Sequence, residues 1–187
     1  MLFTHDTEVT LRAAGVLVNS GRIDGDQLAD QAALDGYLDT YGWTGRRDRD
    51  AAELAEVHRL RERLGRIWAV ADDDERTVAE VNALLADTSA SPWLTRHPEM
   101  PEWHLHLVSS REPLARRMGA EIAMALADLI RAGQLHRLKT CAAPDCEAVL
   151  VDLSRNRSRM FCDTGNCGNR QHVAAYRRRR SARPGES

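Results

Sequence analysis

The sequence predicts a mostly α fold of the α+β class, with a helix-rich domain over residues 1–138 and a small second domain over residues 139–187. Apolar residues recur every three or four positions through most of the first part, which indicates amphipathic helices. All four cysteines lie in the second part. Residues 1–140 carry 17 basic and 23 acidic side chains (net −6), whereas residues 141–187 carry 9 arginines and 5 acidic side chains (net +4). This division predicts two domains, the second of which faces an anion.

The helices of the first domain follow from the apolar periodicity. The strongest signal lies at 50–71, where apolar residues fall at spacings of three and four and charged residues occupy the opposite face. Asp72, followed by Glu75, resembles a capping box and predicts the start of a helix that runs through Leu85. The same periodicity predicts three more helices, at 8–20, 26–40 and 112–132.

Between residues 90 and 109 the period of the apolar residues changes from about 3.6 to 2. The segment WHLHLVS places its tryptophan and leucines on one face and its histidines, His104 and His106, on the other. With PWLTRH before it and PEMPE as the turn, this segment predicts a small antiparallel β-hairpin. The four tryptophans of the chain are expected in the core rather than in a pocket.

The four cysteines form two pairs, with the spacing Cys141-x4-Cys146-x15-Cys162-x4-Cys167. Two pairs about 15–20 residues apart are typical of a structural zinc site, because tetrahedral Zn²⁺ needs four ligands and each short pair supplies two. A strand at 147–153, a turn at 154–158 and a helix from Cys167 onward would complete a small treble-clef zinc finger. Two disulfides or four unconnected cysteines are the alternatives, and a reducing cytoplasm favours zinc. Four thiolates leave no position open for water, so the metal is predicted to be structural.

The segment CAAPDC…VDLSRNRSRMFCDTGNCGNRQHVAAYRRRR, within residues 141–180, resembles the CGNR zinc finger, a treble clef named after the tetrapeptide that begins at Cys167. CGNR fingers typically follow a helix-rich domain known as ABATE, in proteins regarded as stress-induced transcription regulators. The first domain resembles ABATE in its helix order, in the LVN at 17–19 and in its tryptophan-bearing hairpin. One departure is RMFC, where the family usually has a second arginine and a tryptophan or tyrosine before the cysteine. The resemblance implies a zinc-containing transcription regulator.

The arginines of the second domain predict contacts with the phosphate backbone of DNA. Four consecutive helical residues point about 100° apart, so at least two of the four terminal arginines must reach solvent. The turn arginines alternate and would share one side if that segment were extended. The candidate contacts are Arg155, Arg157, Arg159, Arg170, Arg177, Arg178, Arg179 and Arg180.

Other roles for these arginines stay open. They would also complement the helix dipole, pair with the acidic first domain, or offset the charge of −2 that one zinc and four thiolates carry. Arg170 lies next to a zinc ligand, and its alternative role is structural, through a hydrogen bond to a carbonyl or carboxylate. If none of the arginines binds nucleic acid, the finger is a protein-interaction or structural module.

A helical domain attached to a DNA-binding finger also suggests that the first domain senses a small-molecule effector or mediates assembly. The candidate pocket residues are Asn19, Trp93, Trp103 and His104. No P-loop, G-x-S-x-G or H-E-x-x-H motif is present, so we expect no enzymatic activity. No apolar run approaches about 18 residues and MLFTHDTEVT has no secretory pattern, so we expect a cytoplasmic protein that spans no membrane. The oligomeric state stays open, a homodimer included.

Overall fold

The structure, a computed structural model, describes residues 3–23, 25–97 and 100–181. Five helices precede the cysteine-rich part within these ranges: α1 (His5–Asn19), α2 (Gln31–Tyr41), α3 (Ala51–Ala69), α4 (Asp74–Thr88) and α5 (Leu114–Arg131). Each corresponds to a predicted helix. None of the helices in the described part of the chain has the length and apolarity needed to cross a membrane.

Aspartate caps fix where three of these helices begin. The side chains of Asp30, Asp50 and Asp73 each accept a hydrogen bond from the backbone N–H three residues further on. Because Asp30 is a cap, the helix predicted from residue 26 begins only at Gln31. The cap predicted at Asp72 is wrong by one residue, since Asp73 accepts the bond instead.

The core of the helical domain lies where α5 packs against α1, α3 and α4. The largest fully buried side chains come from these helices, among them Leu17, Leu64, Ile67, Met118 and Leu126. Burying each such side chain stabilises the fold by about 1.5–3 kcal/mol. The apolar faces predicted from the periodicity of the sequence therefore pack against one another.

The predicted hairpin is present as β1 (Trp93–His97) and β2 (Met100–His106), which pair antiparallel with Leu94 opposite Leu105. Its predicted turn, PEMPE, includes residues 98 and 99, which lie outside the described residues. The expectation that the tryptophans lie in the core is wrong for Trp93 and Trp103, which are 41% and 64% exposed. Trp103 lies on a face of the hairpin that points to solvent with Leu94 and Leu105, whereas Trp93 lies on the other face at the start of β1, across from His106.

The second part of the chain packs directly on the helices. Its β-hairpin consists of β3 (Leu138–Thr140) and β4 (Val149–Val151), and β3 was not predicted. Apolar side chains from both strands join the core of the helical domain: Leu138, Val149 and Val151. The last helix, α6 (Cys167–Ser181), follows the second cysteine pair. Residues 182–187 of the predicted second domain lie outside the described ranges.

Candidate metal centre and basic helix

The four cysteine sulfurs converge on one point between the β3–β4 hairpin and the start of α6. All four Sγ atoms lie within 4.8 Å of one another. The distance is 3.7 Å between the sulfurs of Cys146 and Cys162 and 3.6 Å between those of Cys162 and Cys167. Four sulfurs bound tetrahedrally at about 2.3 Å from a zinc ion lie about 3.8 Å apart, so the observed spacing fits zinc.

Backbone contacts position the ligands. The Cys141 N–H donates to the Ala148 carbonyl at 2.8 Å, which closes the first cysteine loop at the end of the β3–β4 hairpin. Cys167 is the first residue of α6, so the helix fixes the last ligand. A Cβ atom at Gly165 would lie 3.0 Å from the Cys167 sulfur, and glycine therefore leaves the room that the sulfur cluster needs.

The chemistry of the donor set also fits a metal. Three of the four cysteines are buried, and none forms a disulfide. Burial raises the pKa of the Cys162 thiol to about 12, so zinc must displace a proton from a thiol that would otherwise keep it at neutral pH. A site of four thiolates has no position left for a substrate, and its role is to hold the fold.

Arg170 connects the metal centre to a carboxylate. One guanidinium nitrogen donates to the Cys167 sulfur at 3.1 Å, and another donates to Asp145 Oδ2 at 3.0 Å. A cation beside a thiolate offsets part of the negative charge of the centre and holds the ligand in place. The arginine of the CGNR tetrapeptide is therefore built into the zinc site.

Comparisons with known proteins agree with this geometry. The sequence profile of the CGNR zinc finger matches residues 137–180, which contain all four cysteines. The profile of ABATE, described as "Putative stress-induced transcription regulator", matches residues 11–133, more than half of the chain. The chain belongs to the ABATE family. No curated protein matches the sequence. In this ABATE protein the four cysteines form the site of one structural zinc ion.

Asp152 holds the turn that precedes Cys162, although it was not among the predicted site residues. Asp152 is fully buried, and its carboxylate accepts hydrogen bonds from Lys139 Nζ at 2.6 Å and from the Arg159 N–H at 3.0 Å. Burial opposes the charge, but the bonds from Lys139, Ser154 and Arg159 outweigh it and lower the pKa of Asp152 to about 2. The sequence does contain one signal of this role. Lys139, the partner of Asp152, is the sole lysine of a chain whose other basic side chains, apart from histidine, are arginines.

The turn arginines of this ABATE protein do not lie along an extended segment. Arg157 has a φ of 53°, in the left-handed region, so the alternation that would place all three on one side does not apply. Arg155 and Arg157 are exposed. Arg159 is half-buried and forms an ion pair with Asp163. The structure thus leaves two of the three candidate arginines of the turn at the surface.

The four terminal arginines extend from the metal centre on the second half of α6. Arg177 to Arg180 are all exposed. Among the residues that the structure describes, Arg177, Arg179 and Arg180 have no carboxylate within ion-pair distance, so no clamp between these three and the acidic helical domain is observed. The neighbouring Val173 and Tyr176 are 39% and 59% exposed.

The candidate pocket residues lie in two different places. Asn19 is buried at the end of α1, where its amide donates to the Val149 carbonyl at 2.9 Å and accepts from the Val149 N–H at 2.8 Å. Trp93, Trp103 and His104 belong to the β1–β2 hairpin. The amide of Asn19 therefore has a structural partner in β4, and the ligand pocket stays a prediction.

Proposed function

We propose that this ABATE-family protein is a transcription regulator that binds the phosphate backbone of duplex DNA through α6 and the 154–157 turn. The observation that carries the proposal is the exposure of Arg177, Arg179 and Arg180 together with the absence of ion-pair partners for them in the described chain. Guanidinium groups without an ion-pair partner, on a helix whose first residue is a metal ligand, suit phosphate, because each can donate two parallel hydrogen bonds.

The charge balance around the zinc supports this assignment. Arg170 already neutralises part of the thiolate charge at Cys167, and Lys139 neutralises Asp152. Each anion thus has a cation of its own that is not one of the terminal arginines. With 15 residues, α6 is about 22 Å long, and the major groove of B-DNA is about 12 Å wide, enough to admit a helix. Exposed Arg155 and Arg157 would add contacts from the turn.

The salt dependence of DNA affinity tests the proposal. If about five phosphates are neutralised, the logarithm of the association constant should fall against the logarithm of salt concentration with a slope of about −4 to −5. The triple variant R177Q/R179Q/R180Q should bring the slope to about −2, because each lost phosphate contact removes about 0.9.

A matched control has the same change of net charge on the helical domain. The side chains of Arg12, Arg59 and Arg131 are exposed, and each forms an ion pair with a carboxylate of its own helix. The variant R12Q/R59Q/R131Q should therefore keep the wild-type slope. Binding that is undetectable, or that does not depend on salt, would contradict the proposal. An equal loss of slope in the control variant would show that the contacts are not specific to α6.

A second candidate function is a protein-interaction module without DNA binding. The exposed Val173 and Tyr176 on α6 favour it, because apolar and aromatic side chains are typical of protein interfaces. In that case V173S/Y176S would abolish binding to the protein partner. The wild-type protein itself would show no salt-dependent binding to DNA. The helical domain, by either proposal, senses a ligand or mediates assembly.

A further inference from the structure

The β1–β2 hairpin has its polarity reversed relative to an ordinary sheet on a protein surface. One face carries Thr95 and His104, both half-buried, and an electrostatic interaction links His104 to Glu121 of α5. The opposite face, which points to solvent, carries Leu94 and Leu105 as a cross-strand pair. Sheets with one solvated face normally place the polar side chains in water, so the outward apolar face is unexplained by the fold of one chain.

The exposed apolar area of the outward face is larger than that of single apolar residues scattered over a protein surface. Leu94 and Trp103 are each 64% exposed, and Leu105 is 39% exposed. Together these three side chains present on the order of 400 Å² of apolar surface, since one large aromatic side chain alone offers about 150–250 Å². Trp93, 41% exposed, lies on the opposite face, across from His106. Patches of this size mark interaction sites.

The chemistry of this face indicates which partner it fits. Among the residues of this face that the structure describes, the formal charge is that of Arg96, whose guanidinium carbon lies 4.9 Å from the centre of the Trp103 ring. This face has no set of charges that would select an acidic or a basic partner. An apolar face can, however, pack on a copy of itself across a two-fold axis. Antiparallel packing places the two Arg96 side chains at opposite ends of the contact.

We propose that Leu94, Trp103 and Leu105 form the interface through which this chain pairs with a second copy of itself. Two such faces bury about 800 Å² of apolar surface. Homodimer interfaces are about 65% apolar, so this corresponds to a total of about 1,200 Å², the area at which stable interfaces begin. Within the described residues β1 and β2 have no third strand. A two-stranded sheet is marginally stable alone, and the second copy supplies the missing cover.

Sedimentation equilibrium of the zinc-loaded full chain, without DNA, tests this inference. At roughly 1–200 µM the wild-type chain should have twice the monomer mass of 20.9 kDa. The double variant L94S/W103S should weaken association by at least tenfold, because a central aromatic anchor carries much of an interface. The matched control V16S/M160S changes two side chains that are 37% and 58% exposed elsewhere on the surface, and it should leave the dimer unchanged.

Two results would overturn the inference. The first is a wild-type chain that stays monomeric throughout the concentration range. The second is a dimer that L94S/W103S leaves intact, since the copies would then meet through another surface. Both residues are exposed, so the variant should fold, and circular dichroism checks this. If it does not fold, Leu94→Arg, which places two new like charges in the contact, makes the same distinction. The mass measurement is independent of the DNA salt slope, so either can fail alone.

Discussion

Replacing Asp152 with asparagine should destabilise the zinc-binding part of the chain by about 2 kcal/mol at pH 7. The carboxylate is fully buried, and its pKa is lowered to about 2 from an ordinary 3.8. Each unit of this decrease in pKa corresponds to about 1.4 kcal/mol in the free energy of unfolding. The ionised carboxylate contributes this stabilisation fully above pH 4, and the contribution is lost as the pH falls through 2. Asparagine keeps the shape but removes the charge that faces Lys139, whose ammonium lies 2.6 Å away.

The assays for Asp152→Asn are urea and thermal unfolding of the zinc-loaded protein at pH 7, followed by circular dichroism and by release of zinc to a chromophoric chelator. The melting temperature should fall by about 4–8 °C, given about 2–4 °C for each kcal/mol in a chain of this size. Asp163→Asn is the matched control, because Asp163 pairs with Arg159 but its side chain is 87% exposed. A loss below about 0.5 kcal/mol for Asp152→Asn would refute the reasoning.

Three further substitutions test the metal centre, the helical domain and the contact between them. Arg170→Gln should lower zinc affinity about tenfold in a competition with a chelator, because Cys167 loses a charged hydrogen-bond donor. Glu121→Gln should stabilise the fold by about 3 kcal/mol at pH 8 and by about 1 kcal/mol at pH 5. Burial raises the Glu121 pKa to about 7, so its ionisation costs stability as the pH rises past its unfolded value of 4.5. Asn19→Ala should cost about 2–4 kcal/mol in urea unfolding, because both polar backbone groups of Val149 lose a buried partner.

Each of these variants has a control of the same type at an exposed position. Arg155→Gln should leave zinc affinity unchanged, Glu62→Gln should leave the pH dependence unchanged, and Gln27→Ala should leave stability within about 0.5 kcal/mol. Equal zinc affinity in Arg170→Gln and Arg155→Gln would contradict the role of the first. The other two expectations fail if Glu121→Gln destabilises at pH 8 or if Asn19→Ala unfolds like the wild type.

The metal centre could be predicted from the sequence because its information is local. Two short cysteine pairs specify four ligands whatever the rest of the fold does, and the structure brings all four sulfurs together. The helices could be predicted for the same reason, from apolar periodicity, although their starts depend on which aspartate accepts a backbone bond. Asp73 rather than Asp72 does so, and neighbouring aspartates give no means of choosing between them in the sequence.

What could not be predicted depends on contacts between distant segments. The alternation in β2 indicates that Trp103 and His104 lie on opposite faces, but it does not say which face meets the helices. That choice depends on the placement of α5, whose Glu121 interacts with His104. Asn19 likewise was a candidate pocket residue in the sequence, and only the folded chain places it against Val149, 130 residues later.

The contact between Asn19 and β4 bears on how a regulator of this design could work. Trp68 of α3 donates to the Leu150 carbonyl at 3.3 Å, so α1 and α3 both bind the main chain of one strand. That strand pairs with β3, which leads into Cys141, and the zinc ties Cys141 to the first residue of α6. If the finger follows β4, a shift of α1 or α3 would displace the terminal arginines through this chain of bonds. Regulation through this path would need no unfolding of the finger, only a small displacement of the strand on which it stands.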